Sequence, residues 1–262
     1  MSEAQTVKQC CARAYESDFA KYLFGDSFHP GGTKLTERLG TLLRLSPQSR
    51  VLDIASGKGT SALFLAKTFG CEVLGIDYGN LNVEEANASA KAEGLNSLVS
   101  FRQGDAERLP VADSSFDAII CECAFCTFPG KTAAAGEFAR VLRSGGRVGL
   151  SDLTRVPVLP KELDGLLAWV ACIADAQPME SYVQYLSDAG FRVEHMEQHD
   201  EALVEMVNKV RMKLLGAEIM IGLKKLELPG ADLPVAKQMA QAALAAVQQG
   251  RIGYALLCGS RS

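Results

Sequence analysis

The sequence predicts an α/β fold: a doubly wound, mostly parallel sheet of seven strands, with a helical lid at the N-terminus and a helical insertion before the last strand. Three observations predict it. Short apolar runs recur at residues 51–54, 73–76, 99–103, 118–121, 147–150, 192–198 and 252–258. The spaces between the first five carry helical periodicity, at 61–68, 83–92 and 132–142. A glycine-punctuated turn, Ser56-Gly57-Lys58-Gly59, joins the first run directly to a helix pattern. Near-continuous apolar strands alternating with helices imply a parallel sheet covered on both faces, with ligands at the carboxyl ends of its strands.

The bulk composition bounds the answer. The chain has 262 residues, 48% hydrophobic and 22% charged, with a formal net charge of −4. That suits a globular chain with a sizeable core and argues against a polyanionic partner such as nucleic acid. The first residues lack the apolar segment of a signal peptide. No apolar run approaches the roughly 18 residues of a membrane span. A cytoplasmic protein is therefore expected, in which the eight cysteines are core residues, ligands or reactive thiols rather than a disulfide framework.

Residues 3–23 read as one helix, followed by a loop, Phe28-His29-Pro30-Gly31-Gly32, and a further helix after Thr33. The aromatic, imidazole and glycines of that loop suggest a lid that closes over a ligand. Beyond the fifth strand, helices are predicted at 163–174, 180–189, 201–215 and 236–248. The organisation expected is a helical cap over 1–45, a ligand-binding core over 46–155, and acceptor-side helices with the last strands over 156–262.

Five features stand in order on this frame. Asp53 lies within the first strand, before Gly57 and Gly59. Asp77 ends the second strand, where a carboxylate can accept ribose hydroxyls. Asp105, in Gly104-Asp105-Ala106, closes the third and can accept from an exocyclic amine. Phe116-Asp117-Ala118-Ile119-Ile120 feeds the fourth, and Leu142-Arg143-Ser144-Gly145-Gly146 precedes the fifth. A third glycine of the dinucleotide fingerprint is missing, because Ala62 follows Gly59 by three residues.

In this order the set resembles the class I S-adenosylmethionine-dependent methyltransferases. The resemblance implies a Rossmann-like core and S-adenosylmethionine as cofactor. It also implies a cofactor-binding set of Asp53, Ala55, Gly57, Gly59, Thr60, Asp77 and Tyr78, with Asp105, Ala106, Glu122 and His29.

The segment Cys121-Glu122-Cys123-Ala124-Phe125-Cys126, with Pro129-Gly130-Lys131 behind it, further resembles the arsenite methyltransferases. Those enzymes carry a cysteine at the position of Cys123, and another in a helix after the fifth strand, where this chain has Cys172. The resemblance implies Cys123 and Cys172 as arsenic ligands, with Cys126, Cys10 or Cys11 as a third thiolate, and a thiol reductant as a possible partner. Thiolates suit such soft centres. The family's cysteine before the glycine turn has no counterpart between His29 and Arg50.

The acceptor stays open between that metalloid and an oxygen, nitrogen or carbon atom of a small organic molecule. An organic acceptor would call for a base, for which His29 and then Glu122 are the candidates; His195 and His199 read as exposed or core residues. A non-catalytic protein holding soft metal on the same fold is the third reading.

Overall fold

The computed structural model describes residues 3–25, 28–159, 161–163, 173, 175–228 and 232–262. Seven strands form one sheet: β1 (Arg50–Ile54), β2 (Glu72–Asp77), β3 (Val99–Gln103), β4 (Phe116–Glu122), β5 (Leu142–Arg155), β6 (Phe191–Gln198) and β7 (Ile252–Arg261). Their order is β3-β2-β1-β4-β5-β7-β6. The first five pair in parallel, whereas β7 runs antiparallel to both β5 and β6. The strand order runs outward from β1 through β2 and β3 on one side and through β4 and β5 on the other, which opens a crevice between the ends of β1 and β4 where a ligand can sit.

Helices α1 (Glu3–Glu16), α2 (Asp18–Phe24) and α3 (Gly32–Leu42) precede the sheet. Helices α4 (Thr60–Phe69), α5 (Asn80–Ala92) and α6 (Lys131–Val141) connect the parallel strands, and α7 (Met179–Asp188) leads into β6. Helices α8 (Asp200–Gly222) and α9 (Leu233–Gln248) form the insertion before β7.

The single N-terminal helix expected over 3–23 is two helices. Ser17 adopts an extended conformation and its Oγ accepts from the Ala20 N–H at 3.2 Å, capping α2. The same hydroxyl donates to the Ala14 carbonyl at 2.6 Å and closes α1. A serine here offers the backbone a better partner than a continued helix would, which apolar periodicity does not register. Helix α8 likewise runs past residue 215 to Gly222. The helix predicted over 163–174 falls mostly outside the described residues.

The core fills both faces of the sheet. Leu52, Ile54, Ile119, Cys121, Leu150 and Leu257 are fully or almost fully enclosed, and Cys71 and Cys258 join them as small apolar groups. Burial pushes the Cys258 thiol up to about 12 and the Cys71 thiol to about 11, against an ordinary value of 9.0. Below pH 9 these thiols are protonated whether the chain is folded or not. From pH 9 up to about 11 for Cys71 and about 12 for Cys258, the unfolded chain releases protons that the fold retains, so stability falls with rising pH by up to about 1.4 kcal/mol per pH unit for each thiol. Urea unfolding at pH 9 and 10 should show that loss, and Cys258→Ala should make it shallower. An equal pH slope in the variant would refute the assignment.

Candidate active site

The site begins where β1 ends. Ala55 and Gly57 both take left-handed backbone conformations, with φ of 56° and 57's of 52°, and the chain turns back on itself through Gly59 N–H to Ser56 carbonyl at 2.9 Å. An alanine tolerates such a conformation poorly, so the turn holds its shape against local preference. Asp77, at the end of β2, holds the turn from the side. One carboxylate oxygen accepts from the Gly57 N–H at 2.8 Å; the other accepts from the Gly79 N–H at 2.8 Å and from Asn82 Nδ2 at 3.3 Å.

Against this turn lies a cavity of about 850 Å³. Its walls include Ala55, Gly57, Asp77 and Tyr78 from the first two strand ends, and Asp105 and Ala106 after β3. Helix α1 covers it with Lys8, Cys11, Ala12 and Tyr15. Lys8 Nζ reaches both oxygens of Asp105 at 2.8 and 2.9 Å and Glu107 at 2.7 Å. Glu16 accepts from the Leu81 N–H at 3.1 Å, fixing the far end of α1 to α5. Helix α2 is clasped to α8: the Tyr22 hydroxyl donates to the Lys213 carbonyl at 3.1 Å, and Lys213 Nζ to the Tyr22 carbonyl at 2.8 Å.

A polar recess adjoins the turn. There Glu122 accepts from Ser61 Oγ at 2.5 Å and from Thr36 Oγ1 at 3.1 Å, with His29 Nε2 at 3.6 Å. Thr60 and Asp53 face the same recess. Burial pushes the Asp53 carboxyl well above the usual range, and the negative Glu122 and Asp77 push it further.

A second cavity of about 700 Å³ meets the first. Its roof is the α8–α9 pair, which presents Leu203, Met206 and Val210 from one helix and Met239, Ala243 and Val247 from the other. Tyr15, Phe28 and Cys123 line both cavities. They form the passage between them.

A profile described as a methyltransferase domain matches residues 52–150. Methyltransferase GfsG of Streptomyces halstedii is 32% identical over 61% of this chain and 58% of its own length. An arsenite methyltransferase of Halobacterium salinarum is 32% identical over 60% of this chain and 41% of its own. This chain therefore spans between two fifths and three fifths of those two relatives. The 27-O-demethylrifamycin SV methyltransferase of Amycolatopsis mediterranei is 30% identical over 69% of this chain and 72% of its own length. The chain belongs to the class I S-adenosylmethionine-dependent methyltransferases. The crystal structure of the [4+2]-cyclase SpnF has the same fold, with a TM-score of 0.78 at 22% identity over 99% of this chain and 97% of that one.

The residues of this methyltransferase fit S-adenosylmethionine, the cofactor of its family. Asp53 Oδ2, Ser56 Oγ and Asn82 Oδ1 are buried beside the glycine turn without a hydrogen-bond partner. Buried polar atoms are rarely left so, and these match a ligand carrying an ammonium and hydroxyls. Gly59 stands apart from the other residues read from the motif. It faces Phe101 of β3 and Ala86 of α5, rather than the cavity.

The cysteines disperse. Cys121 is enclosed in the sheet between Ile54 and Leu150, and Cys126 is buried in a short 3-10 turn, its N–H donating to Asp152 at 2.9 Å. Cys11 lines the first cavity, Cys123 lines both, and Cys10 is half-buried. Cys172 lies outside the described residues. Among the described residues no group of three or more His, Cys, Asp or Glu side chains is placed to hold a metal ion, and no helix is long and apolar enough to cross a membrane.

Sequence reasoning missed Lys8, Tyr15, Asn82, Thr36 and Ser61. Lys8 and Asp105 are 97 positions apart, and no motif links them. Helix α1 lies over the first cavity together with Phe28 of the loop from which a lid is expected. Cofactor should slow amide exchange from Tyr22 to Leu35 and over α1. Unchanged exchange on addition of S-adenosylmethionine would exclude a lid.

Proposed function

We propose that the protein transfers the methyl group of S-adenosylmethionine to a neutral, largely apolar small organic molecule. One observation carries this reading: the cavity that meets the cofactor cavity has apolar walls, relieved among its described lining side chains only by the Tyr15 hydroxyl and the sulfur atoms of Cys123 and two methionines. A charged acceptor would lose its hydration there without gaining a counter-ion, at a cost of several kcal/mol. An apolar body gains about 25 cal/mol for each Å² removed from water.

S-adenosylmethionine, when bound, supplies an electrophilic methyl group carried on a sulfonium. The protein's part is alignment and the exclusion of water. Asp77 shapes the turn and faces the cofactor cavity, and Asp53, Ser56 and Asn82 would take up the ammonium and hydroxyl donors of the cofactor. Helix α1 closes the cavity from above. His29 stands with Glu122 and Ser61 in the polar recess and is not among the acceptor cavity's walls. This favours acceptors that give up a proton readily, such as phenols and stabilised enols, over alcohols that need a strong base.

A metalloid acceptor is the second reading, supported by the position of Cys123 at the passage between the cavities. Both are tested with methyl-labelled S-adenosylmethionine against neutral phenols, enols, charged amines, phosphorylated bases and arsenite. Label should pass to the neutral aromatic or enolic acceptors. Transfer to arsenite alone, or to charged acceptors alone, would overturn the first reading.

A further inference from the structure

We infer that Tyr15 is the residue that holds the polar atom of the acceptor at the passage between the two cavities. The inference rests on the apolar-acceptor reading and extends it to a residue with no counterpart in the motifs. Among the described residues three side chains belong to both cavities: Tyr15, Phe28 and Cys123. The methyl group must cross from one cavity to the other, so the atom that receives it must lie beside these three.

An acceptor with one hydroxyl or amine and an otherwise apolar body meets few hydrogen-bonding groups in this space. The Phe24 and Phe28 rings offer none, and apart from Cys123 the other described walls are aliphatic or thioether. The Cys123 thiol is a weak donor and a weak acceptor. The Tyr15 hydroxyl both donates and accepts well, and a polar group buried without such a partner is penalised. The acceptor's polar atom is thereby drawn to the passage, while its apolar body extends beneath α8 and α9.

The ring is held for that task. Tyr15 packs edge-on against Phe28, with centroids 5.5 Å apart and planes at 78°, and Phe28 packs in turn against Phe24 at 6.1 Å. Position 15 is anchored through its own helix as well, by Lys8 at one end and Glu16 at the other. An aromatic on α1 thus selects which atom of the acceptor faces the cofactor, and the roof helices select the body that follows.

The test compares two probes of similar shape, 2-naphthol and 2-methylnaphthalene, titrated by fluorescence into the S-adenosylhomocysteine-loaded protein. Tyr15→Phe keeps the ring and removes only the hydroxyl. It should weaken 2-naphthol roughly 2- to 12-fold, the value of one hydrogen bond, while leaving 2-methylnaphthalene and S-adenosylhomocysteine affinities unchanged. Equal weakening of both probes would mean that position 15 acts by packing alone and would overturn the proposal. So would an unchanged 2-naphthol affinity, or a selective loss in Cys123→Ala but not in Tyr15→Phe. Failure of both probes to bind the unaltered protein would remove the apolar-acceptor reading itself, and this proposal with it; failure of the Tyr15→Phe comparison alone leaves that reading standing.

Discussion

Replacing Gly59 by alanine should cost about 2–5 kcal/mol of stability, one of the two largest effects expected here. Two costs combine. Gly59 has φ of +82°, a conformation that an L-residue adopts at a penalty of about 1–2 kcal/mol. The added methyl would also enter the space of the Phe101 ring, 2.9 Å from its Cε1, and lie 3.1 Å from Ala86 Cβ. Neither neighbour can retreat easily, because Phe101 sits in β3 and Ala86 in α5, both packed against the sheet. Overpacking of this kind costs about 1–3 kcal/mol. The midpoint of thermal unfolding should fall by roughly 5–15 °C. A shift under about 2 °C would show that the helix–sheet packing around the turn is looser than described.

The second large effect concerns the cofactor. Asp77→Ala should weaken S-adenosylmethionine binding by about 1.5–3 kcal/mol, the range for a hydrogen bond to a charged group, which is roughly 10- to 150-fold. The carboxylate supports the site in a further way, through the Gly57 and Gly79 amides that shape the walls around the ligand. Stability should fall as well, since the substitution leaves both amide groups without their acceptor. Calorimetry at a temperature where both proteins are folded separates the two effects. Unchanged affinity there would refute the assignment of Asp77 to the cofactor site.

Much of the fold was readable because its signals are local. The run 118–121 is apolar throughout and 51–54 is apolar but for Asp53, as suits strands buried on both faces. Asp53, Asp77 and Asp105 stood out because each interrupts or ends such a run, and the sheet brings the ends of parallel strands to one edge. Their positions followed from chain direction alone. The break at Ser17 did not, because Val7, Cys10, Cys11 and Ala14 keep helical spacing up to it and the decisive interaction is a side-chain cap.

The acceptor side was far less readable. Leu203, Val207 and Val210 have the spacing of any buried helix face, and Ala240 and Ala243 that of any small-residue contact. Only their three-dimensional arrangement separates a wall from a core. The cysteine motif illustrates the reverse difficulty. Cys121, Cys123 and Cys126 are close in sequence, yet Cys121 is buried within β4 and Cys126 in the short turn after it, whereas Cys123 stands just beyond the strand end with φ of 52° and lines both cavities. Proximity along the chain said little about proximity of sulfur atoms.

The position of β7 between β5 and β6 bears on how the protein is made. A ribosome delivers β5 and β6 first, and they do not pair with each other in the finished sheet. Helices α8 and α9 emerge next, so the roof of the acceptor cavity exists as nascent chain before the strand beneath it. Until β7 arrives, β5 offers an open edge on its outer side, a template for pairing with other chains. Strand β7 then pairs between the two, its ladder with β5 reaching back to Arg147. The pairing of β7 is thus the step that seals the sheet, and a chain interrupted before it is left with the β5 edge uncovered.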